Sequence, residues 1–202
     1  MKISIKIGII LCGLPLLFAQ GEAKISKQPL AQRLCSVVLQ NTEGKSDSLN
    51  SIAKHKATVF VFLSSECPIS DNYMPLLSEL AAKFAASDIA FYGVISDPDA
   101  TADEAKKFAS DYKWTADILM DSKQELASTL NAHITPEVFI ISNSGKTLYN
   151  GRIDDRYVAL GKSRVSARHN DLRDALTNIS YGKKVKNPKT KVIGCSIPKA
   201  EE

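Results

Sequence analysis

Apolar and polar positions along this chain fall into blocks that switch between two periods. Ala57 to Leu63 is β-branched and aromatic with almost no polar residue. Such a run predicts a strand buried on both faces, as inside a parallel sheet. Behind it, Ile69, Tyr73, Leu76, Leu77, Leu80 and Phe84 recur at spacings of three and four and predict a long amphipathic helix. Pro68 fits its first turn, where a missing N–H costs nothing, and Pro75 inside the pattern predicts a kink. Ile89 to Ile95 reads as the next strand. After the turn at Asp97-Pro98-Asp99, Ala102, Ala105, Phe108, Ala109 and Tyr112 mark a second helix. Ile118 to Met120 predicts a short strand, Gln124 to Leu130 a short helix, and Val138 to Ser142 another strand. Asn143-Ser144-Gly145-Lys146 turns that strand into Thr147 to Tyr149 as a hairpin. Leu172, Ala175, Leu176 and Ile179 mark a final helix. Nearer the start, Leu34 to Leu39 predicts a strand with Cys35 packed inside, Asn41 to Lys45 a turn, and Ser48 to Lys54 a short helix.

Strands and helices alternate, and the hairpin precedes a last helix. That order argues for an α/β sandwich with a mixed sheet, parallel in the middle and antiparallel at the hairpin. One domain is expected over residues 33–181. A leader at 24–32 precedes it, and a basic, turn-rich tail at 182–202, carrying Cys195, follows.

The first 23 residues read as an export signal. Lys2 and Lys6 supply a positive start, Ile7 to Phe18 is almost continuously apolar, and small residues follow at Ala19, Gly21 and Ala23. The apolar run is shorter than the roughly 20 residues a membrane span needs, so cleavage with no stable membrane insertion is expected. The mature protein is then periplasmic or secreted.

Composition supports a folded, globular protein: 44% of residues are hydrophobic and 24% charged. A net charge of +4, with no long basic run, argues against a nucleic-acid partner. Phosphate-binding glycine loops, H-E-x-x-H and G-x-S-x-G are all missing from the sequence. Losing the signal removes Cys12 and leaves Cys35, Cys67 and Cys195. Three cysteines do not make a disulfide scaffold, but they suit a reactive thiol with optional pairing.

Cys67 is the foremost candidate. It sits where a buried strand ends and a helix begins, and a helix N-terminus offers free N–H groups and a partial positive charge that favour thiolate over thiol. A thiolate attacks disulfides and peroxides. Loops at the C-terminal ends of parallel strands are also where α/β folds place chemistry.

These residues carry a resemblance. Cys67-Pro68-Ile69-Ser70 resembles the C-x-x-C loop of the thioredoxin superfamily, with serine in place of the second cysteine. Pro75 resembles that family's helix-kink proline. Thr135-Pro136, before Glu137 to Ser142, resembles its cis-proline loop. The likeness covers about residues 33–181 and is nearest to exported redoxins of the AhpC/TSA, peroxiredoxin-like group. It implies a three-layer sandwich with a central mixed β-sheet flanked by helices. It further implies thiol oxidoreductase or antioxidant activity with no cofactor and no metal, acting on a peroxide or a protein disulfide and reset by an external thiol reductant. Carried over residue by residue, Cys67 is the nucleophile, and Pro68, Ser70, Thr135 and Pro136 line the substrate site. Ser64 takes the threonine position of the peroxiredoxin pattern P-x-x-x-T-x-x-C, whereas Phe60 stands where that pattern has proline. Arg152 or Arg156, in the stretch Gly151 to Tyr157, is the candidate to face the thiolate; a solvated cluster of mutual ion pairs is the other reading of both.

Cys195 is a resolving thiol if the tail folds back to Cys67; otherwise it is a structural tether or a free thiol. Peroxide reduction and single-cysteine disulfide exchange both remain open. So does a non-catalytic binding module. A copper-handling protein of the Sco type is a further alternative, which would have to recruit Cys195 and His133 as ligands beside Cys67.

Overall fold

The structure, a computed structural model, describes residues 28–199. The expected export signal and residues 24–27 of the leader lie outside the described residues. Helix α1 (Leu30–Ser36) leads into β1 (Val38–Asn41), β2 (Ser46–Ser48) and a 3-10 turn at Leu49–Lys54. Then come β3 (Ala57–Leu63), α2 (Pro68–Ala85), β4 (Ile89–Ile95), α3 (Ala102–Asp111), β5 (Asp117–Met120) and α4 (Glu125–Leu130). The second half holds β6 (Ile134–Thr135), β7 (Glu137–Ser142), β8 (Thr147–Gly151), β9 (Tyr157–Ala159), β10 (Lys162–Ser163), α5 (Asp171–Ser180) and β11 (Cys195–Ser196).

Seven strands form one sheet in the order β2-β1-β5-β4-β3-β7-β8. Strands β3, β4 and β5 run parallel at its centre. β7 joins β3 antiparallel, with Phe62 opposite Glu137, and β8 joins β7. The mixed sheet expected from the sequence is therefore present.

All seven residues of β3 are buried, and its side chains alternate between two cores. Val59, Val61 and Leu63 meet α2, α3 and α5 through Leu77, Leu80, Phe108 and Leu176. Phe60 and Phe62 meet Leu34 of α1, Leu49 of the 3-10 turn and Leu126 of α4. Helices on both faces of one sheet make three layers. Among the described residues no helix is long and apolar enough to cross a membrane.

One element differs from expectation. Leu34 to Ser36 is the end of a helix, and only Val38 onward is strand. Leu30 and Leu34, four apart, both pack into the second core, which is helical spacing. Strand alternation begins only at Val37 and Leu39, with Val38 exposed between them. Cys35 consequently points outward and is exposed rather than packed. Helix α1 also starts at Leu30, inside the stretch read as leader.

Two polar devices set the ends of helices beside the sheet. Thr101 and Glu104 exchange side-chain and backbone hydrogen bonds at the start of α3, a capping box. Buried Asp121, at the end of β5, accepts hydrogen bonds from the Leu126 and Ala127 amides of α4 (3.1 and 2.9 Å) and from the Ser96 hydroxyl (2.8 Å).

Candidate functional site

Cys67 occupies the N-cap of α2, with Pro68 as the first helical residue. Its amide donates to the Ser64 carbonyl (3.3 Å), and its own carbonyl accepts the first helical bond, from Asp71 (3.2 Å). This turn aims the side chain inward: Cys67 is 1% exposed. Ser70, fully buried one turn on, accepts on its hydroxyl from the Ser64 amide (3.4 Å). Ser64 uses its own hydroxyl to accept from the Glu66 amide (3.2 Å). Both serines therefore brace the loop.

Thr135 and Pro136 stand against the sulfur, joined by a cis peptide bond. The Cys67 thiol donates to the Thr135 carbonyl at 3.3 Å. The tail supplies the remaining wall. Strand β11 pairs antiparallel with β6, placing Cys195 opposite Thr135 and Ser196 opposite Ile134. Cys195 lies within hydrogen-bond reach of Cys67 through both its thiol and its amide.

The electrostatics of the two cysteines diverge. Burial pushes the Cys67 thiol up. Hydrogen bonds from the Cys195 thiol, the Ser70 amide, the Cys195 amide and the Thr135 hydroxyl outweigh it, and the net leaves Cys67 below the ordinary cysteine value. The Thr135 carbonyl serves the neutral thiol, but a thiol donates weakly, and four donors serve the ionised form. Burial, the hydrogen bond to Cys67 and the charge on Cys67 push Cys195 up to about 11. The two sulfurs are thus shifted in opposite directions, Cys67 toward the thiolate and Cys195 toward the thiol.

The arginines are engaged elsewhere. Arg152 donates from Nε to Asp171 at 2.7 Å. Arg156 pairs with buried Asp154 at 3.3 Å and stacks over the Tyr73 ring, 4.8 Å from its centroid. Tyr73 also donates its hydroxyl to Asp154. The stretch Gly151 to Tyr157 thus fastens the loop and α5 to α2. The structure brings together Cys67, Cys195, Pro68, Ser70, Thr135 and Pro136, while Ser64 turns to the loop backbone and both arginines to carboxylates. Among the described residues, no group of three or more His, Cys, Asp or Glu side chains is placed to hold a metal ion.

Family comparison agrees with this architecture. The model of the AhpC/TSA family matches residues 30–149, more than half of the chain. The chain belongs to the AhpC/TSA family. Among solved structures, this AhpC/TSA chain is similar to an uncharacterized conserved protein of Geobacillus kaustophilus, with 25% identity and a TM-score of 0.74 over 82% of this chain and 89% of that one. A hypothetical protein of Sinorhizobium meliloti matches with 24% identity and a TM-score of 0.73, over 82% of this chain and 92% of that one. A secreted disulfide oxidoreductase of Mycobacterium tuberculosis shares the fold at 17% identity and a TM-score of 0.54, over 75% of this chain and 98% of that one. No curated protein matches the chain. The fold is thioredoxin-like, and membership in the AhpC/TSA family supports a redox function.

Two contributors had no signal in the sequence. Gly194 passes so close to β6 that a Cβ there would fall 2.1 Å from the Thr135 carbonyl oxygen. Gln124, at the start of α4, ties down the tail by donating its side-chain amide to the Pro198 carbonyl.

Proposed function

We propose that this protein is a two-cysteine thiol oxidoreductase in which Cys67 attacks the oxidant and Cys195 resolves the product. The observation that carries this reading is the contact between the two thiols, with Cys195 held opposite Thr135 by strand pairing. With a hydroperoxide, the Cys67 thiolate takes the terminal oxygen, the O–O bond breaks, and the alkoxide or hydroxide leaves with a proton. Cys67 becomes a sulfenic acid. The Cys195 sulfur then displaces hydroxide from it, water departs with the Cys195 proton, and a Cys67–Cys195 disulfide remains. An external thiol reductant supplies the two electrons that restore both thiols. Closing the disulfide brings the sulfurs to about 2 Å, and the short pairing of β11 with β6 leaves the tail able to make that adjustment.

Disulfide exchange is a second reading, and Phe60 favours it. The peroxiredoxin pattern has proline at that position, whereas here Phe60 is a fully buried strand residue stacked on Tyr92, 5.8 Å between ring centroids. In that case Cys67 forms a mixed disulfide and expels a thiolate, and Cys195 releases the second thiol with the same internal disulfide as product.

The site is set in an exported protein on this reading, which the apolar N-terminal stretch supports. Edman sequencing of the protein recovered from the periplasm or medium would begin near residues 22–24, and recovery of an intact Met1 from the cytoplasm would refute export. Chemistry is tested by adding one equivalent of hydrogen peroxide to the reduced protein and mapping cysteine states by mass spectrometry. A Cys67–Cys195 disulfide, replaced by a trappable sulfenic acid on Cys67 in Cys195→Ser, is the expected result. An unmodified Cys67 in both removes peroxide as substrate, and the same mapping after a low-molecular-weight disulfide then decides the second reading.

A further inference from the structure

Thr135, Ile134 and His133 form a short strand edge beside Cys67, and the tail occupies all of it. Cys195 and Ser196 pair with Thr135 and Ile134. The Ile197 amide donates to the His133 carbonyl at 2.9 Å, and Gln124 holds the Pro198 carbonyl. Upstream the tail is clamped a second time. The Thr190 amide donates to the Asn150 carbonyl (3.0 Å), the Asn150 amide to the Pro188 carbonyl (2.9 Å), and the Thr190 hydroxyl meets the Tyr149 hydroxyl (2.8 Å). Glycines make both approaches sterically feasible. A Cβ on Gly151 would fall 2.1 Å from the Thr190 hydroxyl oxygen, and one on Gly194 would fall 2.1 Å from the Thr135 carbonyl oxygen and 2.7 Å from Ile134 Cγ2.

An unpaired strand edge beside a reactive group is a ready site for an extended polypeptide, which binds by adding its own main chain as a strand. Here that surface is filled from within the chain. Taking Cys67 as the reactive thiol, from the reading above, we propose that the strap Gly194–Pro198 is the specificity-determining element of the site: it admits small oxidants to Cys67 and excludes extended polypeptides. A small oxidant needs room only at the sulfur, and side-chain motion of Cys195 supplies it. A polypeptide must first strip the strap from His133, Ile134 and Thr135. Retention of the strap therefore selects against protein disulfides and for peroxides or low-molecular-weight disulfides.

The test uses full-length protein carrying Cys35→Ser and Cys195→Ser, so that Cys67 is its one thiol outside the signal. Two probes share one leaving group: Ellman's reagent, and an unstructured peptide whose single cysteine carries the same nitrobenzoate. The rate ratio of reagent to peptide is normalised to that of the urea-unfolded protein. Gly194→Val in this background lifts the strap by steric conflict. Ile197→Pro removes the amide that bonds His133; its side chain packs only at the margin of the second core, so it remains informative if the first variant fails to fold. Both are expected to lower the normalised ratio about tenfold, the equivalent of a lost backbone hydrogen bond, chiefly by speeding the peptide. An unchanged ratio in folded variants overturns the filter while leaving Cys67 reactive. A Cys67 inert to Ellman's reagent in every folded form overturns the reading of Cys67 itself and the filter with it.

Discussion

Cys195 stands opposite Thr135 in antiparallel register, and the same Thr135 receives the Cys67 thiol on its carbonyl at 3.3 Å. Thr135 is therefore the link between the two cysteines, and Cys195, 60 positions beyond Thr135 in sequence, becomes a donor to the Cys67 sulfur. Burial raises the Cys67 pKa, but the Cys195 thiol is the foremost of the groups that bring it below the ordinary value. The pH midpoint of Cys67 alkylation by iodoacetamide is expected below that of a free cysteine. Cys195→Ala is expected to move it upward. A midpoint that stays in place would show that the Ser70 and Cys195 amides suffice alone.

The arginines give a prediction of the opposite kind. Arg152 is held by Asp171 and Arg156 by Asp154 and the Tyr73 ring. Arg152→Ala and Arg156→Ala strip the partner from a buried carboxylate, which costs stability of about 1–3 kcal/mol with the guanidinium partly exposed. Urea denaturation would measure that loss. The Cys67 midpoint is expected to stay where it is, because these side chains are committed to carboxylates. A clear rise in the midpoint would mean that an arginine acts on the thiolate after all.

Much of this arrangement was legible from the sequence, and the division follows from how far apart the causes lie. Strands β3 and β4 are long enough, and buried enough, for their apolar runs to mark their bounds, and α2 declares itself through its three-and-four spacing. Cys67, Pro68, Ser70 and Thr135-Pro136 could be singled out because each has a local setting. At Leu34 to Ser36 the apolar residues are too few to separate a helical turn from a strand: a strand would bury Cys35, whereas the helix turns it outward. Strands β6 and β11 have two residues each, too short to carry any period, and nothing near Cys195 names its partner. The arginine partners Asp171 and Asp154 likewise emerge only from the folded path of the loop, as does the close approach at Gly194.

Two buried acids should bend the stability profile in opposite directions. The amide of His169 foremost, then that of Arg168 and the charge of Arg164, outweigh burial and hold Asp155 below the usual carboxylate range. A depressed carboxyl contributes stability that is present above its unfolded pKa, about 3.9, and is lost as pH falls through the folded value. The advantage of wild type over Asp155→Asn is therefore full above about pH 5 and shrinks on acidification. Asp121 is the reverse: burial outweighs its amide donors and lifts its pKa. Its contribution is full below the unfolded value and is lost as pH rises through the folded one, so the advantage over Asp121→Asn shrinks toward neutrality. Urea midpoints at a series of pH values test both, and parallel profiles for the two variants would contradict the assignment.

Thr190 ties the beginning of the tail to the sheet, and its removal separates the clamp from the strap. Its hydroxyl meets the Tyr149 hydroxyl at 2.8 Å and accepts from the Arg152 amide at 3.0 Å. Tyr149 is fully buried but retains the Arg152 carbonyl as acceptor (2.5 Å). Thr190→Val keeps the shape, and so keeps the contact with Gly151, but leaves the Arg152 amide without its acceptor. A loss of about 1–2 kcal/mol is expected in urea denaturation. The Thr190 amide, bonded to the Asn150 carbonyl, should then exchange its hydrogen faster, because local opening of the tail no longer breaks the side-chain bonds as well. The β11–β6 pairing rests on Gly194, Cys195, Ser196 and Ile197 rather than on Thr190. Formation of the Cys67–Cys195 disulfide should accordingly keep its wild-type rate in Thr190→Val. A slowed disulfide would show that the upstream clamp, and not strand pairing alone, delivers Cys195 to Cys67.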